Sequence, residues 1–249
     1  MKPGRWLAID TATDLASVAV GVPPGAEAGA FVQGSRRHAA EIIELADHAL
    51  DQAGLGGGAR DLAGIVIADG PGSFTGLRIG WAAAKGLAHA AGLPLRAVPS
   101  LMAAAAAVAR QLGPVPVAAC YDALRGQVYG ALYVVRAEGV ETLVAPAVMT
   151  VADFARIAPV RPRAVVGDGA MRYPEDVLRW SGAAPLPLES LIPNAVTLLS
   201  LFTHEGAARA LDDSPPLGAE PVYGRPAEAQ ALWEARHGQP LPDSSRSGD

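Results

Sequence analysis

Apolar runs that stop at an aspartate set the rhythm of this chain. Arg5-Trp6-Leu7-Ala8-Ile9 runs into Asp10, and Ser17 to Val22 follows the polar turn Thr11-Ala12-Thr13-Asp14. Two such runs around a short polar stretch predict a β-hairpin, and Ala30 to Gln33 predicts a third strand. From His38 to Ala53 the period changes. Ala39, Ile42, Ile43, Ala46, Ala49, Leu50 and Ala53 recur at helical spacing, with Glu41, Glu44, Asp47, His48 and Asp51 largely opposite. Gly54 to Gly58 end that helix. Ile65-Val66-Ile67-Ala68 predicts a buried strand ending at Asp69, Leu77 to Ala91 a helix, and Leu95 to Val98 a strand. Leu101 to Leu112 predicts a helix that Ser100 can cap and Gly113-Pro114 terminates.

After Gly113 the order begins again. Val115 to Tyr121 is an apolar run ending at Asp122, Ala123 to Gly126 is a turn, and Val128 to Val135 and Glu141 to Ala145 are strands. Thr150 with Asp153 three residues on is a capping-box pattern for a short helix to Ile157. Arg163 to Val166 predicts a strand running into Gly167-Asp168-Gly169, and helices are expected over Tyr173 to Trp180 and Ala195 to Leu211. No sequence repeat accompanies this, so the duplication rests on element order and on Asp10 and Asp122, each closing a first strand before a hairpin. The expected division is 1–113, 114–226 with a C-terminal helix that can pack back on the first half, and a tail over 227–249. Glu220-Pro221-Val222-Tyr223 is expected to lie on the body, and the tail from His237, rich in Pro and Ser, to be disordered and dispensable.

Half of the 249 residues are hydrophobic but only 5% are aromatic, so small residues carry the apolar fraction and elements should pack backbone to backbone. A net charge of −5 argues against a protein that grips nucleic acid by itself. Between Gly70 and Tyr121, however, Arg78, Lys85, Arg96 and Arg110 stand with no acid among them. Cys120, the single cysteine, excludes an internal disulfide and reads as a small buried residue on a strand. No signal-peptide pattern precedes Trp6, and no apolar run reaches ~18 residues unbroken. A soluble cytoplasmic protein is expected, with no membrane partner.

Between the strand at Ile65 and the helix at Leu77 lies Gly70-Pro71-Gly72-Ser73-Phe74-Thr75-Gly76-Leu77-Arg78-Ile79-Gly80, four glycines and a proline in eleven residues. Such a backbone turns sharply or approaches something closely. Ser73 and Thr75 can each cap the helix, and no carboxylate follows at the capping-box position, so the helix start is left open to an anion or a partner's acceptor. It is no Walker A loop, because the only lysines, Lys2 and Lys85, do not follow a glycine at the required spacing. It is no dinucleotide fingerprint, because the third glycine, Gly76, comes one position late and no acid lies between Asp69 and Asp122. No serine occupies a Gly-x-Ser-x-Gly elbow.

Taken whole, this string resembles the signature of the bacterial TsaB (YeaZ) family of tRNA threonylcarbamoyladenosine biosynthesis proteins. Leu7 to Thr13, the helix opened by His38, Asp122 to Tyr129, Glu220 to Arg225 and, more weakly, Gly167-Asp168-Gly169 extend the resemblance in the family's order over about residues 6–226. The departures are Leu124 and Gln127, where the family has Arg and Glu, and Gly224, where it has Leu; no role is carried over at those positions. The resemblance implies an actin-like α/β fold of two ribonuclease-H-like subdomains, each a mixed sheet with helices. It implies a subunit without cofactor or catalytic residues of its own. That subunit would dimerise with and activate the TsaD-type transferase, which modifies adenosine 37 of tRNA, and would work with a TsaE-type ATPase. It would meet tRNA only through the complex, and a homodimer is an alternative assembly. By the same resemblance the helix from His38 lies at the partner interface, through His38, Glu41, Ile42 and Leu45.

The residues themselves agree with a silent subunit. The five histidines (His38, His48, His89, His204 and His237) include no i, i+4 pair, and no Cys-x-x-Cys exists. Asp10 and Asp122 are the best candidates to hold a nucleotide or its Mg²⁺ across a cleft. The simpler reading is that each caps its turn; Asp168, between two glycines, also reads as a turn residue. An actin-like phosphotransferase using Asp10 and Asp122 is the alternative function, and a peptidase has neither metal pair nor elbow. The helix from Leu77 shows a single polar stripe, Arg78, Lys85 and His89, on about twice the apolar surface one sheet face requires. Gly76, Gly80, Ala84 and Ala88 recur every four residues. A partner helix explains both features, with Arg78, Ala82, Lys85 and Gly86 at the contact and Gly70, Gly72, Ser73, Thr75 and Gly76 shaping the loop.

Overall fold

Strands form where the apolar runs stand. β1 (Trp6–Asp10), β2 (Leu15–Gly21) and β3 (Ala28–Gln33) make an antiparallel meander; α1 (His38–Gln52) follows, and β4 (Gly64–Ala68) lies parallel beside β1. α2 (Phe74–Ala91) leads to β5 (Leu95–Val98), parallel to β4. After α3 (Ser100–Leu112) the pattern recurs. β6 (Pro116–Asp122), β7 (Val128–Val135) and β8 (Val140–Met149) form a second meander, α4 (Val151–Ile157) follows, and β9 (Ala164–Val166) lies parallel beside β6. α5 (Asp168–Arg172), α6 (Pro174–Ser181), α7 (Asn194–Leu201) and β10 (Arg209–Ala210), antiparallel to β5, come last. The sheet orders are β10-β5-β4-β1-β2-β3 and β8-β7-β6-β9. Two meanders, each with a parallel strand added beside its first member, are the halves of an actin-like fold. The structure is a computed structural model that describes residues 4–34, 38–191, 194–211 and 218–224. Arg225 and the expected tail over 227–249 lie outside the described residues.

Period-two alternation sorts the strands into three cores. Leu7, Ile9, Ile65 and Ile67 face α1 and α2, together with Ile42, Ala46, Leu50, Trp81, Ala84 and Ala88. Trp6, Ala8, Val66 and Ala68 point the other way, into a central core shared with Val117, Ala119, Tyr121, Ala131 and Tyr133 of the second sheet. Ala118, Cys120, Leu132 and Val165 face Phe154, Ala170 and Val177 on the outer side. α3 lies on the second sheet, α7 on the first, and the two helices pack on each other between the sheets. Such strands are covered on both faces, which is why they read as unbroken apolar runs. α3 is buried from Ser100 to Val108, and the five alanines Ala103 to Ala107 let it fit between two layers. The small-residue composition is therefore concentrated where backbones meet.

Four expectations change. α2 begins at Phe74, three residues early, because Ser73 rather than Thr75 is its N-cap. Ser100 does not cap α3: Pro99 holds the N-cap position, and the Ser100 hydroxyl accepts the Gly70 N–H at 2.9 Å. The helix expected to reach Leu211 ends at Leu201, since the chain turns through Gly206 at φ 73° and Arg209 and Ala210 pair with β5. α5, a single short turn after Gly167, was not foreseen. The capping box stands as read, with Thr150 accepting the Asp153 N–H at 3.1 Å. No helix among the described residues is long and apolar enough to cross a membrane.

Candidate functional site

β4 delivers Asp69 to the start of the glycine loop, and the loop's close approaches are all to its own chain. A Cβ on Gly72 would overlap the Ala12 carbonyl, one on Gly76 the Thr11 carbonyl, one on Gly80 the Thr11 hydroxyl, and one on Gly70 the Val222 carbonyl. Hydrogen bonds fix the same neighbours. Ser73 N donates to Ala12 O at 2.6 Å and Val222 N to Asp69 O at 2.8 Å, while Thr11 Oγ1 donates to Gly76 O at 2.7 Å. The Ser73 hydroxyl accepts Gly76 N at 3.2 Å; Thr75 sits in the first turn and caps nothing. The loop is thus wedged between the β1–β2 hairpin and a strap formed by residues 218–224, rather than curled around an anion.

The strap is tied down by charge and ring contacts. Arg209 donates to both Asp69 carboxylate oxygens, at 2.8 and 3.2 Å, and also reaches Glu220 O at 3.4 Å. Burial holds the Asp69 carboxyl above the ordinary value, against the hydrogen bond and charge of Arg209. Glu220 accepts from Tyr223 Oη at 3.1 Å and pairs with Lys85 at 3.8 Å. The Tyr223 and Phe74 rings lie 4.6 Å apart.

The two corner aspartates behave alike. Asp10 accepts Ala12 N at 2.8 Å and Asp122 accepts Leu124 N at 2.9 Å, each bonding its own turn two residues on. Asp10 is fully buried. Asp122 also accepts from Arg172 at 3.1 Å and donates its N–H to Asp168 at 3.1 Å. Partial desolvation raises the Asp168 carboxyl above the ordinary value although the residue is exposed, aided by the Asp122 charge and opposed by hydrogen bonds from the Asp122 and Gly169 amides. A cavity of about 250 Å³ lies between the halves, lined by Thr13, Asp14, Leu15, Asp168, Met171 and Leu188 among others; neither Asp10 nor Asp122 lines it. Among the described residues no group of three or more His, Cys, Asp or Glu could hold a metal ion. Burial also pushes the Cys120 thiol far above its ordinary value, so the only cysteine is inert packing.

α1 and α2 lie side by side on the outer face of the first sheet. The row Gly76, Gly80, Ala84 and Ala88 is buried. Its small residues admit the hairpin and the sheet, not a partner helix. The outward stripe is Arg78, Ala82, Gly86 and His89, all exposed. Lys85, expected beside them, is half-buried over the Trp81 ring at 5.6 Å and drawn to Glu220. On α1, Ile42 is 2% exposed and belongs to the core, so it has no surface to offer a partner. Glu41 and Leu45 are half-buried, and the side chain of His38 lies outside the described residues. Ile43, expected on the apolar face, is exposed instead. Adjacent residues on a helix sit about 100° apart, so the pair Ile42-Ile43 cannot both centre one stripe. Phe74 and Tyr223 were missed as a pair because ~150 residues separate them and only the fold joins them.

Comparison with known proteins finds both TsaB and TsaD relatives. A family model described as "TsaD: tRNA N6-adenosine threonylcarbamoyltransferase" matches residues 32–174. The tRNA threonylcarbamoyladenosine biosynthesis protein TsaB of Escherichia coli K12 is 33% identical over 231 residues, 89% of this chain and 94% of that protein. The chain belongs to the TsaB (YeaZ) family. TsaB of Bacillus subtilis 168 is 34% identical over 179 residues, 70% of this chain and 74% of the relative. YeaZ from Pseudomonas aeruginosa superposes with a TM-score of 0.63 at 29% identity, over 80% of this chain and 90% of that one. In this TsaB-family chain the departure at Leu124 falls on a strained corner. Leu124 and Arg125 both take positive φ, 61° and 53°, at the tip of the β6–β7 turn, and Leu124 is exposed there.

Proposed function

We propose that this chain serves tRNA N6-threonylcarbamoyladenosine synthesis as a non-catalytic subunit that dimerises with and activates a TsaD-type threonylcarbamoyltransferase. In this reading it works in the cytoplasm with a TsaE-type ATPase as third component, and tRNA meets it only in the complex. Gly86 carries the reading. Glycine inside an exposed helix costs about 1 kcal/mol relative to alanine, yet among the described residues a Cβ at Gly86 would meet no atom within 4 Å beyond its own helix backbone. Gly76 and Gly80, by contrast, are required by Thr11. With Ala82 one turn earlier, Gly86 makes a small-residue stripe that a second helix can approach closely. That helix belongs to the transferase, and in its absence a second copy of this chain can take its place.

The turn-capping bonds of Asp10 and Asp122, and the hairpin carbonyls packed against the glycine loop, support catalytic silence. They leave those carboxylates engaged in holding turns. We place the boundary between the halves at 113/114, with α7 of the second half resting on the first sheet; cleavage by a protease near Gly113 in the native chain is the check. The functional test is co-purification with the transferase, followed by an assay of adenosine 37 modification with and without this chain. Modification that proceeds equally well without it would refute the role. ATP turnover by the pure chain that is abolished in Asp10→Asn would turn the reading to a phosphotransferase.

A further inference from the structure

α3 and α7, which pack on each other, both end beside the β7–β8 turn, and a cavity of about 470 Å³ opens between these three elements. That volume falls within the ~300–1,000 Å³ of small-molecule sites. Its walls are small and apolar: Ala106 and Ala109 on α3, Val135 at the end of β7, and Leu201 on α7. The turn is held in place, because His204 donates from Nε2 to Ala137 O at 3.1 Å and Arg136 N donates to Gly139 O at 2.9 Å. Two exposed side chains of opposite charge also line the cavity, Arg110 from the last turn of α3 and Glu138 from the β7–β8 turn. Among the described residues neither makes an ion pair or a side-chain hydrogen bond, although Arg136, on the same turn, is paired with Glu141. Apolar walls between two opposite, unpaired charges are complementary to a small apolar molecule that carries both an ammonium and a carboxylate.

We propose that this cavity binds an apolar zwitterion, a free apolar α-amino acid or a short apolar peptide. Its carboxylate meets Arg110, its ammonium meets Glu138, and its side chains rest on the alanine walls. The ammonium also gains from the ends of α3 and α7, where both helix dipoles are negative. None of the lining residues belongs to α1 or α2, so the site is separate from the stripe offered to the transferase and does not rest on the proposed function. α3 lies on the second sheet and α7 on the first, so an occupant bridges the two layers and stiffens their junction.

The test titrates the full-length chain with leucine and with leucyl-leucine by calorimetry; the tighter of the two identifies the source. Two blocked forms of that ligand separate the charges, since N-acetylation removes the ammonium and C-terminal amidation the carboxylate. Each should bind wild type about fivefold more weakly, the ~1 kcal/mol of an exposed ion pair at 1.4 kcal/mol per decade. Arg110→Gln should lose the same factor for the free ligand and no longer distinguish it from the amide. Glu138→Gln should no longer distinguish it from the acetylated form. Both positions are exposed, so each variant should melt as wild type does and bind the transferase unchanged. Saturating ligand should raise the wild-type Tm by a few degrees. The proposal is overturned if neither ligand binds up to about 10 mM, or if both blocked forms bind as tightly as the free one. It also fails if only one blocking group matters, which would make the cavity a site for a simple anion or cation. A ligand whose binding both variants leave unchanged sits elsewhere on the chain, and that result too sinks the assignment.

Discussion

Gly86→Ala should move two measurements in opposite directions. Among the described residues the new methyl meets nothing within 4 Å beyond its own helix backbone, and Gly86 lies in the interior of α2, five residues before its end at Ala91. Replacing glycine there recovers about 1 kcal/mol of helix propensity, partly by restricting the unfolded chain. For a chain of this size that is a rise of roughly 2–4 °C in Tm. In the complex the same methyl enters a close-packed contact, where an added carbon costs ~1–3 kcal/mol. Affinity for the transferase should then fall about 5- to 150-fold at 1.4 kcal/mol per decade. Thermal melts and calorimetric titration against the transferase read the two effects separately. Gly76→Ala is the internal control: its Cβ would overlap the Thr11 carbonyl, so this variant should melt lower, not higher. If Gly86→Ala raises Tm and binds normally, α2's outward stripe is not the interface. A lower Tm would mean that something in the native chain packs over Gly86.

Three further outcomes follow from the same geometry. Ala82→Trp places a large side chain on an exposed position, so Tm should stay within a few degrees while transferase binding drops at least about tenfold, or ~1.4 kcal/mol; normal binding by the folded variant removes this face. Arg209→Ala strips the buried Asp69 carboxylate of two hydrogen bonds, although Arg209 itself is 46% exposed. The cost should be roughly 1–3 kcal/mol after allowing for that exposure, and an unchanged Tm would show the strap to be held by other contacts. Asp168→Asn keeps the acceptor for the Asp122 and Gly169 amides while removing a charge whose pKa is raised by partial desolvation and by the Asp122 charge, an effect that the exposure of Asp168 keeps small. A raised carboxyl contributes stability that is full below its unfolded pKa and lost as pH rises through the folded pKa. The variant should thus be at least as stable as wild type at neutral pH, with the difference shrinking on acidification toward pH ~4; a variant less stable at neutral pH refutes this.

What could be read from the sequence was what short-range pattern controls. The runs ending at Asp10, Asp69 and Asp122 gave strands because alternation and turn chemistry are local, and Thr150 with Asp153 carries its own capping geometry. Failures came where the same local pattern has two tertiary uses. Ala207, Ala208, Ala210 and Leu211 continue a helical spacing, but the fold needs a strand beside β5, and a two-residue pairing leaves no periodic trace. α3 was the helix buried on every side within the fold, while the excess apolar surface that called for a second cover was noticed on α2 and assigned to a partner. Both are alanine-rich, and only the sandwich of two sheets separates them.

The glycines of α2 show the same limit at the candidate site. Gly76, Gly80 and Gly86 are one residue type on one helix, and spacing tells only which positions share a face. The every-fourth-residue row Gly76, Gly80, Ala84 and Ala88 suggested close helix–helix contact, yet Thr11 fills that space from within the chain. Gly86, off that row, has empty space above it. A glycine that sterics demand says nothing about partners, since the fold alone accounts for it. One that costs helix stability and satisfies no contact among the described residues points to an approach made by something else. The presence of glycine therefore carries little weight at this site; what surrounds its missing Cβ decides which face is offered outward, and here that face is Arg78, Ala82, Gly86 and His89.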